Sequence, residues 1–144
     1  MSQSAKYSIF ALRIALGWLF LYAGATKIFN PEWSAAGYLK IAKTLPALYQ
    51  WLANSSNIGW VNFLNEWGLT LIGIALLVGI MVRIASYFGI FIMALYYLPI
   101  LQFPMIGKNS FIIDEHIIYI LIFALLIASD AGKFWGLENK ISHK

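Results

Sequence analysis

Four long apolar segments constrain the fold of this chain more than any other feature. They cover about residues 7–29, 60–82, 84–103 and 111–129. As α-helices, segments of roughly 19–23 residues are each about 28–35 Å long, which matches a hydrocarbon core of about 30 Å. Apolar residues make up 61% of the chain and charged residues only 11%, so a soluble domain of this size would leave much apolar surface in water. The sequence therefore predicts an all-α integral membrane protein with one transmembrane domain over residues 1–144.

The links between the last three segments are short. Arg83 alone separates the second segment from the third, and residues 104–110 separate the third from the fourth. Links of this length make consecutive helices antiparallel neighbours. The prediction is a four-helix up-down bundle.

The longest break, residues 30–59, begins with Asn30-Pro31, a turn signal. Apolar and aromatic residues then alternate with lysines, and Pro46 opens a second stretch that reaches Ala53. This pattern predicts two short amphipathic helices at the membrane interface, and an irregular loop is the alternative. Asn54-Ser-Ser also matches a glycosylation sequon.

The distribution of basic residues predicts the orientation. Four spans place both termini on one side, together with six basic residues against four on the other. Basic residues are enriched on the cytoplasmic side of membrane proteins. We therefore expect a multi-pass protein of the cell membrane with both termini in the cytoplasm. The two sets are Lys6, Arg13, Arg83, Lys133, Lys140 and Lys144, and Lys27, Lys40, Lys43 and Lys108.

Several chemistries are excluded by residue content. The chain has no cysteine, which excludes disulfides, thiolate zinc sites, iron–sulfur clusters and covalently attached haem. It has two histidines, one of them His143 near the end, so two facing haem ligands are not expected. The net charge of +4 comes from scattered residues without a basic stripe, which argues against nucleic-acid binding. We expect no metal site, and any redox carrier would be a diffusible quinone or a cofactor on a partner.

Titratable residues converge on the predicted outer rim of the bundle. The end of the first segment and the starts of the second and fourth bring together Lys27, Glu66, Asp114, Glu115 and His116. Ionisable groups near hydrocarbon mark a functional site by default, and a histidine beside a carboxylate can carry protons. The alternative is structural: acidic residues pair with a helix N-terminus and long side chains reach the head groups.

The inner end holds three charges with structural interpretations. Arg13 lies within the first span and needs a partner, and Asp130 is the acid on the same side, so we predict an ion pair between them. Arg83 is predicted to anchor the topology.

Five stretches resemble a known family. They are residues 13–24 with Lys27, residues 30–39 (Asn-Pro-Glu-Trp-Ser-Ala-Ala-Gly-Tyr-Leu), residues 61–73 with Asn-Glu-Trp-Gly, residues 78–83, and Asp-Glu-His-Ile-Ile-Tyr at 114–119. Together they resemble DoxX/DoxD membrane proteins, in particular the DoxD-like branch. The resemblance covers nearly the whole chain, and the two tryptophan-containing motifs are its specific part.

The resemblance implies a membrane subunit of thiosulfate:quinone oxidoreductase, in which DoxD pairs with a second small subunit, DoxA. Thiosulfate is oxidised to tetrathionate and the electrons pass to quinone. The family supplies no settled catalytic residues, so the roles expected here come from the predicted rim. Quinone-side catalysis is assigned to Glu66, Asp114 and His116, and substrate contacts to Lys27, Trp33, Asn65, Trp67 and Lys108.

Two other functions remain open at the sequence level. One is a non-catalytic accessory or structural subunit of a respiratory complex such as a terminal oxidase. The other is binding or transport of a lipid-like molecule. Fold or family analogy alone does not decide among the three.

Overall fold

The structure, a computed structural model, describes residues 1–106 and 110–141. The chain is mostly helical. In chain order the elements are helices α1 (Gln3–Ile28), α2 (Ala36–Lys40), α3 (Pro46–Leu52), α4 (Ile58–Val78) and α5 (Val82–Ile100), strands β1 (Leu101–Gln102), β2 (Met105–Ile106) and β3 (Ser110–Phe111), helix α6 (Glu115–Ala128), a 3-10 turn (Ala131–Lys133) and helix α7 (Leu137–Ile141).

Within the described residues, α1, α4 and α5 are long and apolar enough to cross a membrane. The fourth predicted span differs: α6 has 14 residues, or about 21 Å at 1.5 Å per residue, against a core of about 30 Å. It begins at Glu115 and not at residue 111, because Asp114 caps it and the preceding residues form a small antiparallel sheet of order β1-β2-β3. The all-α prediction missed this sheet, and the four-helix up-down bundle stays a prediction.

The turn between α4 and α5 lies earlier than predicted. Gly79 ends α4 with a φ of 72°, and its N–H donates to the Ala75 carbonyl at 2.9 Å. Met81 is also left-handed, with a φ of 52°, a conformation that glycine adopts readily and other residues rarely. The chain therefore reverses over residues 79–81, and Arg83 lies in the first turn of α5.

The helices pack pairwise around one apolar core. Helix α1 lies along α4, α5 contacts both α4 and α6, and α1 also touches α6. At Gly73 the backbone of α4 approaches Leu21 so closely that an added Cβ would overlap Leu21 backbone atoms, which is the close approach that small residues allow between membrane helices. The core includes Phe20, Leu76 and Phe123, which are almost completely buried.

The outer faces of the same helices are apolar and exposed. Large side chains more than half exposed include Trp18, Leu71, Phe88, Phe91 and Leu121. Such a continuous apolar surface is compatible with lipid and not with water. The chain is therefore a multi-pass membrane protein.

Residues 30–59 pack against the end of α5. Both short helices predicted there are present, as α2 and α3. The Tyr49 hydroxyl donates to the Leu95 carbonyl at 3.0 Å. In a regular helix this carbonyl would accept from the residue four positions later, but that residue is Pro99, which has no N–H. The Tyr38 hydroxyl donates to the Tyr96 carbonyl at 2.5 Å. Two tyrosines thus fix this segment on the helix end that borders the candidate site.

Candidate functional site

A cavity of about 280 Å³ lies between α1, α4, α5 and α6. Its lining surface is mostly apolar, and its ten lining residues include five apolar and five polar or charged side chains. The apolar residues are Leu19, Phe20, Ala23, Leu69 and Met93, and the polar ones are Lys27, Tyr96, Glu115, His116 and Tyr119. Four segments that are distant in sequence thus meet around one space.

Asp114 and His116 form a hydrogen-bonded pair at the start of α6. One carboxylate oxygen, Oδ1, accepts from the backbone N–H groups of His116 and Ile117 at 3.0 and 3.3 Å, which caps the helix. The other, Oδ2, lies 2.6 Å from His116 Nδ1. The two side chains are only 9% and 14% exposed, respectively.

This geometry assigns the histidine tautomer. An ionised carboxylate only accepts hydrogen bonds, so Nδ1 of His116 carries a proton and donates it to Asp114. Nε2 is then the nitrogen left for a ligand in the cavity. It accepts a proton when the ring is neutral and donates one when the ring is charged. The pair is therefore able to exchange protons at one defined atom.

Lys27 brings a positive charge to the opposite wall of the cavity. It lies in the last turn of α1, where the helix dipole favours a cation. Its Nζ is 5.2 Å from the centre of the Trp33 ring, within cation–π range. Burial disfavours this charge, and the carboxylate of Glu66 on α4 opposes that effect by Coulomb attraction. The surroundings of Lys27 are thus formed by α1, by α4 and by the segment that joins them.

Tyr96 completes the polar wall from α5. Its ring is 6.0 Å from the His116 ring, edge to face, and its hydroxyl oxygen accepts a hydrogen bond from Asn65 Nδ2. Because the oxygen is the acceptor in that bond, the tyrosine O–H remains able to donate to a ligand. Asn65 Oδ1 is buried and has no hydrogen-bond partner among residues 1–106 and 110–141.

Tyr38, in the segment between α1 and α4, lies close enough to the acidic residues at the start of α6 to be affected by their charge. The pKa of Tyr38 is raised to about 12, mainly by burial, with further contributions from Tyr49, Asp114 and Glu115. Tyr38 packs edge to face on Tyr96, with ring centres 6.3 Å apart. Residues 36–49 thus lie beside the cavity's polar wall.

Most of the predicted site residues lie at this end, although their roles stay predictions. Asp114, His116 and Lys27 lie around the cavity, Trp33 and Glu66 lie near Lys27, and Asn65 donates a hydrogen bond to Tyr96. Trp67 does not line the cavity; it is 44% exposed and contacts Phe63 on the outer face of α4. Lys108 lies outside the described residues.

The sequence interpretation omitted two tyrosines from the site. Tyr119 follows His116 by one helical turn, a spacing visible in the sequence. Tyr96 depends on its contact with Asn65, 31 residues away, and no local pattern identifies that pair.

The predicted ion pair between Arg13 and Asp130 is wrong. Arg13 is fully buried, and its Nη1 donates to the carbonyls of Ala131 at 2.7 Å and Phe134 at 2.9 Å. The left-handed conformation of Asp130, with a φ of 49°, begins a turn that directs backbone carbonyls at the guanidinium. The side chain of Asp130 instead binds Arg83 and Lys133.

The salt-bridged Asp130 lies outside the helical spans. The hydrogen bond from Lys133 and the charge of Arg83 hold the pKa of its carboxyl below the ordinary value of 3.8. Arg83, the predicted topology anchor, is more than half exposed, as a residue in contact with head groups would be.

Comparison with known proteins assigns the family. No curated protein and no solved structure matches the chain. The profile of the DoxX family matches residues 8–100, which is more than half of the chain and runs from within α1 to the end of α5. The chain therefore belongs to the DoxX family.

Proposed function

We propose that this chain is the membrane subunit of a quinone-reducing oxidoreductase and that the cavity beside His116 receives the quinone head group. The observation that carries the proposal is the pair formed by Asp114 and His116, which leaves the second imidazole nitrogen for a ligand in a mostly apolar cavity. The specific reaction we propose is thiosulfate:quinone oxidoreduction, carried out with a DoxA-like second subunit.

The cavity matches a quinone in polarity and access. Its apolar wall suits the ring and its polar wall suits the two ring oxygens, as in most small-molecule sites. Leu19, at one edge, is 40% exposed on the lipid-facing surface of α1. A quinone dissolved in the bilayer would enter sideways between α1 and α6.

The reaction balances with thiosulfate as the electron donor. Two thiosulfate ions become one tetrathionate, with a new S–S bond, and release two electrons. The quinone takes up these two electrons and two protons to become quinol. In this scheme charged His116 donates one proton from Nε2 to a quinone oxygen, takes up a second proton from the solvent side through Glu66, and donates that one as well. The Tyr96 hydroxyl donates a hydrogen bond to a quinone oxygen.

Lys27 would stabilise negative charge that develops on the quinone oxygen during reduction. A preorganised charge in a site of low dielectric is effective for this purpose. Because the carboxylate of Glu66 acts on Lys27 and would repel a dianion, we assign Lys27 to the quinone and not to thiosulfate. Glu66 would accept and return protons at the rim.

The orientation we propose places this rim outside. Helix α6, together with the residues before Asp114, would complete a fourth crossing. Both termini would then lie on the cytoplasmic side of the cell membrane. Thiosulfate would then approach from the outer face, where Lys108 and Trp67 remain proposed contacts.

A direct assay tests the proposal. The purified chain is reconstituted in liposomes with and without its partner subunit, and thiosulfate-dependent quinone reduction is followed by absorbance. We expect activity only in the complex, and a loss of about 10²–10⁴-fold in His116→Ala, as for other general acid–base groups. His143→Ala, at the only other histidine, is the matched control.

Two results would overturn the assignment. If the complex never reduces quinone with thiosulfate, the proposed enzymatic function is wrong. If the complex is active and His116→Ala retains full activity, the quinone site lies elsewhere.

A further inference from the structure

A second and larger cavity lies at the opposite end of the bundle, at the start of α1. It measures about 580 Å³ and is lined by residues of α1, the end of α4, the 3-10 turn and the chain that follows it. The proposed quinone reduction does not use it. The lining residues that matter here are Gln3, Lys6, Lys133, Trp135 and Asn139.

The lining of this cavity is cationic. Lys6 and Lys133 both border it, and no acidic residue of the described chain does. Lys6 is half-buried with its Nζ 5.8 Å from the Phe134 ring centre, a contact that holds the ammonium group near the cavity. Among the described residues, Lys133 and Arg83 both pair with Asp130, so that carboxylate faces two cations. The Glu138 carboxylate lies against Gly132 and is not part of the lining.

The helix that opens this cavity adds to the positive potential. Gln3 is the first residue of the 26-residue helix α1, and the first turn contains no acid. The Ser2 hydroxyl caps the Ala5 N–H, and the remaining N–H groups and the dipole of a long helix favour an anion at that point. The amides of Gln3 and Asn139 supply further hydrogen-bond donors. Two lysines and a helix start therefore favour the same kind of ligand, an anion.

An aromatic pair indicates the depth of this cavity in the membrane. Trp135 is 53% exposed and stacks on Tyr7 with ring centres 4.9 Å apart. Exposed tryptophan and tyrosine concentrate at head-group level. The apolar side chains of Val78 and Leu137 also line the cavity. A ligand with a charged group and an apolar body suits such a lining better than a free ion.

The wall of this cavity is rigidly supported. Buried Arg13 holds the carbonyls of Ala131 and Phe134, and the Glu138 N–H donates to the Gly79 carbonyl at 3.0 Å. These bonds fix the segment carrying Lys133 and Trp135 against α1 and α4.

We propose that this cavity binds the phosphodiester head group of an anionic phospholipid from the leaflet on the side of the chain's N-terminus. Lys6 and Lys133 contact the phosphate, and Trp135 packs beside the glycerol. The proposal is independent of the quinone site.

Lipid binding to the full chain tests this proposal. The protein is purified in a neutral detergent, and phosphatidylglycerol or phosphatidylcholine is added. Binding is measured by native mass spectrometry and by the rise in melting temperature. We expect preferential retention of phosphatidylglycerol, and a loss of affinity of about fivefold per lysine in Lys6→Gln with Lys133→Gln, as for basic residues at an anionic surface.

The matched control removes the same charge elsewhere. Lys40→Gln with Lys43→Gln changes two exposed lysines of the segment between α1 and α4, and we expect its lipid affinity to equal that of the unmodified chain. Equal weakening in both double variants would overturn the proposal.

Experiments on the unmodified chain keep the proposal testable if a variant does not fold. Equal retention of the two lipids from an equimolar mixture would overturn it. Full stabilisation by inorganic phosphate alone, with none added by the lipid, would identify a soluble phosphate ligand and overturn the lipid assignment.

Discussion

The substitution Asp114→Asn separates the two tasks that the structure gives to one carboxylate. Oδ1 caps α6 and Oδ2 accepts from His116 Nδ1. In the variant the amide oxygen keeps the cap, since asparagine caps helices as well as aspartate does. The amide nitrogen then faces Nδ1 and donates to it, which moves the histidine proton to Nε2. The neutral ring can no longer accept a proton at the nitrogen that remains for a ligand.

The expected magnitudes differ for stability and activity. Asp114→Asn loses only the charge–dipole attraction, about 0.3–1 kcal/mol. Asp114→Ala also loses the cap, a further 0.5–2 kcal/mol or so. Quinone reduction should fall by about 10²–10⁴-fold in both variants, because each removes the carboxylate that orients and charges His116.

Three measurements check this reasoning. The free energy of unfolding in detergent reports the cap, the ¹⁵N chemical shifts of the imidazole report the tautomer, and quinone reduction by the complex reports the chemistry. An asparagine variant with full activity would refute the proposed role of the pair. So would activity and stability that decline in parallel across the two variants, because a purely structural role predicts that outcome.

Three further predictions concern the fold. Phe123→Ala should reduce the free energy of unfolding by about 3–5 kcal/mol, since Phe123 is fully buried; an unchanged melting temperature would contradict the packing described. Tyr49→Phe should reduce it by about 1–3 kcal/mol by orphaning the Leu95 carbonyl, whereas exposed Tyr22→Phe should have little effect. Because the pKa of Asp130 is lowered in the folded protein, its stabilising contribution is present above the unfolded pKa near 3.8 and is lost as the pH falls through the lower folded pKa. Melting curves of Asp130→Asn at acid pH should lack this loss, and curves identical to those of the unmodified chain would contradict the prediction.

The positions of the long helices were predictable because length and hydropathy act over whole segments. Their ends were not, because single residues decide them. Gly79 ends α4 with a positive φ and Met81 continues the turn, which moved the reversal away from Arg83. Asp114 was recognisable as a helix-start residue, yet the apolar residues before it favoured a longer helix than the one it caps.

The candidate site was predictable in outline for a topological reason. Alternating helices bring Lys27 and His116 to one end whatever the details of packing. The contacts that give the site its chemistry depend on side-chain geometry, as in the hydrogen bond from Asn65 to Tyr96. The error at Arg13 has the same origin, since sequence shows acids as candidate partners but does not show that backbone carbonyls will surround a guanidinium.

The central claim, that quinone occupies the cavity between α1 and α6, is tested most directly by photoaffinity labelling. A radiolabelled azido-quinone is activated in liposomes containing the complete complex, and the labelled peptides are identified with and without excess unlabelled quinone. We predict competable label on the peptides that carry residues 19–27 and 115–119. Label confined to the partner subunit, or to other segments of this chain, would contradict the claim.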